Sequence, residues 1–178
     1  MIDNELDTKQ DQVLATARAM MAAARTAPKG KGRDMLEIFT ISGDDLKVLA
    51  DEMRTFAEKS GYKFFLRDAL NVEESQAVVI IGTKFGVFGL NCGFCGFPTC
   101  ADKADERIPC AVNTNDLGIA IGSAVSIAAD WRLDSRVMYS VGRAALDLGW
   151  MGECRAAFGI ALSCTSKSPF FDRTSHKQ

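Results

Sequence analysis

Four cysteines crowd into one short stretch, NCGFCGFPTCADKADERIPC, at Cys92, Cys95, Cys100 and Cys110. The spacing is C-x2-C-x4-C-x9-C, so nineteen residues hold four thiols that can converge without help from distant chain. Four thiolates select soft metals, which means an iron–sulfur cluster or a zinc ion. Gly93 and Gly96 each follow a cysteine. Glycine lets the backbone pass close to a bulky inorganic core and aim N–H groups at its sulfurs. Pro98 stiffens the turn between the second and third cysteines, and Pro109 biases Ile108 to an extended conformation. Structural zinc sites more often show two C-x2-C knuckles, and this stretch has one. The expectation is a [4Fe–4S] cluster on Cys92, Cys95, Cys100 and Cys110, with zinc, another cluster type and unligated thiols as the alternatives.

Little else in the chain offers chemistry. His176 is the single histidine and lies in a polar tail, so acid–base pairs and metal sites built on histidine are nearly excluded. Cys154 and Cys164 flank a strand-like run and read as small buried hydrophobes. The neighbouring carboxylates Asp44 and Asp45, and Glu73 and Glu74, read as solvated faces, and Trp131 and Trp150 as packing or interface residues. Gly30 and Gly32 stand without a Walker lysine pattern or a G-x-G-x-x-G turn.

Bulk properties bound the rest. The 178 residues suit one domain with a substantial core, and 47% apolar with 25% charged residues is ordinary for a soluble globular protein. A formal charge of -2 gives no general drive towards nucleic acid or anionic membrane. The start, MIDNELDTKQDQ, lacks the basic and apolar pattern of a secretory signal. No segment approaches the roughly 18 apolar residues of a membrane span. The expectation is a cytoplasmic protein with reduced cysteines and no nucleic-acid or membrane partner.

Several elements must position the cysteine loop. Residues 7–26 carry Val13, Ala17, Met20, Met21 and Ala24 at helical spacing, and the helix should stop before Pro28. Residues 36–41 read as a strand. Ser42, with Asp45 three residues on, predicts a capped helix lined by Leu46, Leu49, Met53, Phe56 and Ala57 and closed at Gly61. Residues 62–75 predict a short strand around Phe64, then a helical turn. The run AVVII at 77–81 predicts a central strand covered on both faces. Asn113 and Asn115 predict caps for a helix over 116–130, apolar nearly all round and therefore in the domain centre or a subunit interface. Gly118 and Gly122 in that helix predict close packing against another backbone. Residues 131–136 read as a break, 137–148 as a helix stopped at Gly149, and 154–163 as a strand with a bulge or close backbone contact at Gly159. Phe170 and Phe171 should pin the polar tail.

These residues also carry resemblances. CGFCGFPTCADKA resembles the CG-x-CG-x-P-x-C…A element of small cluster domains in redox-complex ferredoxin subunits and corrinoid iron–sulfur proteins, through Cys92, Gly93, Cys95, Gly96, Pro98 and Cys100. The fourth cysteine of those domains lies farther on than Cys110. ARAMMAAARTAPKGKG is similar to the first helix and A-P loop of nitroreductases, and NDLGIAIGSAVSIAADWRLDS to their D-x-G-x-A helix, through Asp116, Gly118, Ala120, Ala128 and Ala129. Together with GIALSCTSKSPFFDR, these features resemble the bacterial and archaeal family of proteins described as containing a ferredoxin domain. The resemblance implies an α/β (α+β) nitroreductase-like three-layer sandwich over residues 1–178, with a central buried helix and the cysteine loop, 91–110, inserted. It implies a homodimer on that helix, and flavin mononucleotide (FMN) with its phosphate near Arg25, Lys29 and Lys31. KGKG stands where the family's serine–asparagine loop would be. The functions implied are iron–sulfur electron transfer, with a redox partner protein, or a flavin-dependent reductase with an accessory cluster; a non-enzymatic metal-bearing interaction module is a third.

Overall fold

The computed structural model describes residues 2–103, 105 and 107–171. The expected role of His176 lies outside them. Helix α1 spans Glu5–Thr26, strand β1 Leu36–Ile41, helix α2 Asp44–Ser60 and helix α3 Phe64–Glu73. Strand β2 spans Ala77–Lys84, helix α4 Ala111–Asp130, strand β3 Asp134–Met138, helix α5 Tyr139–Asp147 and strand β4 Cys154–Ser163. The strands form one antiparallel sheet in the order β1-β2-β4-β3.

Three layers result, as expected. Successive residues of a strand point to opposite faces. Val78 and Ile80 of β2 therefore enter a core with α2, α3 and α5, while Ala77, Val79 and Ile81 enter another with α1 and α4. Every residue of AVVII is fully buried, each large one contributing roughly 1.5–3 kcal/mol of apolar transfer. Val13, Ala17, Met20 and Ala24 line the buried face of α1, and Leu117, Ala120, Ala124 and Ala128 that of α4. Alanine at these positions lets the two helices approach, and the Ser123 hydroxyl donates to the Ala23 carbonyl across the contact at 2.9 Å.

Some local expectations are corrected. Gly43, at φ 63°, precedes α2 with no side-chain cap; Ser42 lies one residue too early, and Asp44 and Asp45 instead place negative charge in the first turn. Residues 64–73 are a helix, not a strand, burying Phe65, Ala69 and Val72 at helical spacing. Helix α4 begins at Ala111, so Asn113 and Asn115 lie within it and Cys110 holds the cap position. The polar residues 134–138 form an edge strand rather than a break. At Gly159 a Cβ would lie 2.0 Å from Val141 Cγ1, a close approach by a side chain rather than by backbone, and no bulge occurs there. A Cβ added at Gly118 or Gly122 would meet nothing within 4 Å among the described residues, because both face away from the sheet. Phe170 is fully buried in the α2–α3–α5 core and pins the described part of the tail, whereas Phe171, expected to join it, is 64% exposed. Among the described residues no helix is long and apolar enough to cross a membrane.

Candidate metal centre

Strand β2 ends at Lys84, and the chain then crosses an irregular stretch to the N-terminus of α4. The four clustered cysteines lie on this stretch. Cys92 is exposed, Cys95 and Cys100 are half-buried, and Cys110 is buried. All four line one hollow, walled by Phe88, Leu90, Phe97 and Val112.

The local backbone explains how the turn forms. Gly93 and Gly96 take φ of 72° and 87°, a left-handed region open to glycine, and the Gly96 N–H closes a turn on the Gly93 carbonyl at 2.9 Å. Asn91 also has positive φ, 48°, which asparagine tolerates better than most residues. Its side-chain oxygen accepts from the Cys100 N–H at 2.8 Å, and its own N–H points at Cys100 Sγ at 3.4 Å. The backbone N–H aimed at sulfur therefore comes from Asn91 rather than from the glycines. Farther on, Asp102 accepts from the Thr99 N–H at 3.0 Å and from its hydroxyl at 2.8 Å. The Arg107 guanidinium beside Asp105 holds that carboxyl below its ordinary range.

Cys110 caps α4, so its thiol stands at the positive end of the helix dipole, a favourable place for negative charge. The first turns of the same helix fix the surroundings. The Asp116 carboxylate, 5% exposed, accepts the Gly30 N–H with both oxygens, at 3.1 and 2.9 Å. The Asn113 side-chain oxygen accepts the Gly86 N–H at 2.9 Å. A Cβ on Gly30 would stand 2.5 Å from Val112 Cγ1, so only glycine fits that approach.

The cations expected near a flavin phosphate have internal partners. Arg25 binds Asp34 at 2.8 Å and the Leu36 carbonyl at 3.0 Å. Burial alone would push the Asp34 carboxyl up, but the Arg25 hydrogen bond, the Leu36 N–H and the charges of Arg25 and Lys29 hold it below its ordinary value. Lys29 donates to the carbonyls of Ala24, Arg25 and Ala27, closing the C-terminus of α1. Lys31 donates to the Phe88 carbonyl at 3.2 Å. Arg33 donates to the Val87 carbonyl at 3.0 Å and lies over the Phe88 ring. The KGKGR loop thus braces the wall of the cysteine hollow.

The donor set fits a soft metal, since all four donors are sulfur. The hollow as it stands is about 10 Å³, room for one water-sized body. Among the described residues no three Cys, His, Asp or Glu side chains converge closely enough to grip an ion. The turn at 91–100 is uncovered among the described residues: Phe94 is 79% exposed, and Gly93, Gly96 and Pro98 are exposed with it. The other wall, Phe88 and Cys110, is buried.

The family described as "uncharacterized protein containing a ferredoxin domain (DUF2148)" matches residues 107–173, which include Cys110 but not the first three cysteines. A protein of Archaeoglobus fulgidus, described only as uncharacterized, is 42% identical over 99% of this chain and 100% of its own length.

The chain belongs to this ferredoxin-domain family.

Solved structures with a similar fold include a nitroreductase with bound FMN from Desulfitobacterium hafniense (12% identity, TM-score 0.59, 86% of this chain and 78% of that one). Another is a BluB-like flavoprotein from Clostridium difficile (20% identity, TM-score 0.55, 86% of this chain and 84% of that one). A third is the FMN-dependent nitroreductase NfnB of Mycobacterium smegmatis (12% identity, TM-score 0.58, 86% and 78%). At these identities the likeness shows the nitroreductase-like fold. Sequence reasoning had missed Asn91 as a loop brace and Asp116 as an anchor. Asn91 carried a signal, an asparagine beside C-G where a left-handed residue is needed; Asp116 carried none that singled out its partner.

Proposed function

We propose that this member of the family is an iron–sulfur electron-transfer protein whose centre is held by Cys92, Cys95, Cys100 and Cys110. The observation that supports it is that all four thiols line one hollow at the N-terminus of α4. When bound, a [4Fe–4S] cluster supplies one-electron oxidation and reduction. The chain's own residues hold the sulfurs, direct the Asn91 N–H at Cys100, and shield one side with Phe88, Phe97 and Val112. The Asn91–Cys100 side stays open, so a redox partner protein approaches there.

Anaerobic preparation tests this reading. Brown protein with about 4 iron and 4 acid-labile sulfide per chain supports it. Single Cys→Ala changes at 92, 95, 100 and 110 should each lower iron content, while Cys164→Ala should not. Colourless protein with one zinc per chain overturns it and leaves a structural metal module. Flavin on Arg25, Lys29 and Lys31 would have to displace the bonds that these residues make within the chain, so the electron carrier is preferred to a flavin reductase. We place a homodimer contact on the outer face of α4, where Gly118, Ile119, Gly122 and Ser126 are exposed.

A further inference from the structure

A second cavity lies across residues 84–90 from the thiols. It is an open cleft of about 730 Å³, within the size range of small-molecule sites. Lys84, Phe85, Val87, Lys103, Glu153 and Arg155 are among its walls. Three cations thus stand near two carboxylates, Glu153 in the wall and Glu37 beside it. Lys84 is bridged by Glu37 at 3.1 Å and by Glu153 at 3.2 Å. These hydrogen bonds, Glu37 first, raise its pKa. Arg155 is exposed and enters no ion pair among the described residues, and Lys103 donates to the Asp105 carbonyl at 3.3 Å and lies near enough to the Asp105 carboxyl to help lower its pKa. With Lys84 held by two carboxylates, Lys103 and Arg155 are the cations left to meet a ligand, beside an apolar wall of Met35, Phe85 and Val87.

The backbone singles out Arg155. Thr83 pairs with Ala156 and Lys84 with Cys154, so Arg155 is the extra residue of a β-bulge. A bulge re-aims a side chain that regular pairing would direct elsewhere, and bulges concentrate next to functional sites. Cys154 also lines the cleft, but burial pushes its thiol up to about 11, so it supplies no thiolate near neutral pH. The cleft is equipped to bind an anion, not to attack one.

We propose that this cleft is a binding site for a small anionic molecule, a phosphate or carboxylate on an apolar body. The anion lies against Arg155 and Lys103, and the body against Phe85 and Val87. Electron exchange between this ligand and a centre on the thiols rests on the function proposed above; binding does not. The test uses the full-length protein, with metal content measured on the same sample. It is titrated by calorimetry with 1-naphthyl phosphate, 2-naphthoate and the uncharged 2-naphthalenemethanol. At least one anion should bind saturably at one per chain, and which one distinguishes the phosphate from the carboxylate source. Arg155→Glu and, independently, Lys103→Glu should each weaken it by about tenfold or more. Arg18→Glu, on the exposed side of α1, should leave it unchanged. Binding of the alcohol as tight as that of the anions, affinity unmoved by both cleft variants, or no binding by either anion would overturn the site, whatever the iron content.

Discussion

Thiols in this chain differ by surroundings rather than by type. Cys154 is 5% exposed at the start of β4, and burial raises its pKa from 9.0 to about 11. The thiolate is the reactive form. In folded apoprotein, iodoacetamide should therefore modify Cys92 readily at pH 7.5 and leave Cys154 intact. The Cys154 rate should climb about tenfold per pH unit until pH approaches 11. Mass spectrometry of peptides quenched at intervals checks this, and early modification of Cys154 at neutral pH would contradict its burial. The sign also bears on stability. The folded state disfavours the Cys154 anion, so alkaline solution above the ordinary thiol range should loosen the β4 end of the sheet. At this scale the cysteine grouping was legible, because four thiols in nineteen residues have few other uses. The roles of Asn113 and Asp116 were not. A side chain that braces a loop 27 or 86 residues away leaves no local pattern.

Elements followed legibility in proportion to their periodicity. Strands β1 and β4 ran over the residues expected, as β-branched or apolar runs bounded by turn residues do. Helix α3 was misread because FFL at its start hides the spacing of Phe65, Ala69 and Val72. Strand β3 was missed because an edge strand with Asp134, Ser135 and Arg136 buries too little to alternate. Packing between elements is tightest where α5 crosses β4. A Cβ on Gly142 would lie 1.8 Å from the Ala157 carbonyl oxygen, and backbone cannot step aside as a flexible side chain does. Gly142→Ala should therefore cost about 3 kcal/mol or more despite glycine's poor helix propensity. Urea denaturation would measure it. A stability equal to or above that of the parent protein would mean that α5 does not sit this close to the sheet.

At the scale of the whole molecule, the exposed face of α4 is where we propose a second copy to pack. The helix read as buried all round, yet within one chain only half of its circumference is covered. A Cβ on Gly122 meets no described atom within 4 Å beyond its own helix backbone, so Gly122→Leu should leave the thermal stability of a monomer within about 0.5 kcal/mol. Light scattering should nonetheless show the dimer giving way to monomer in that variant. A parent protein monomeric at micromolar concentration would dismiss the contact, and an unfolded variant would place those glycines against this chain after all. The strand order has a separate consequence, for the protein as it is being made. β2 lies between β1, at residues 36–41, and β4, at residues 154–163. Its edge towards β4 has no hydrogen-bonding partner until nearly the last residues of the sheet leave the ribosome. For about seventy residues of synthesis, a run of five apolar residues waits with one side of its backbone unpaired. The nascent chain, more than the finished protein, is where this architecture is open to aggregation and most in need of a chaperone.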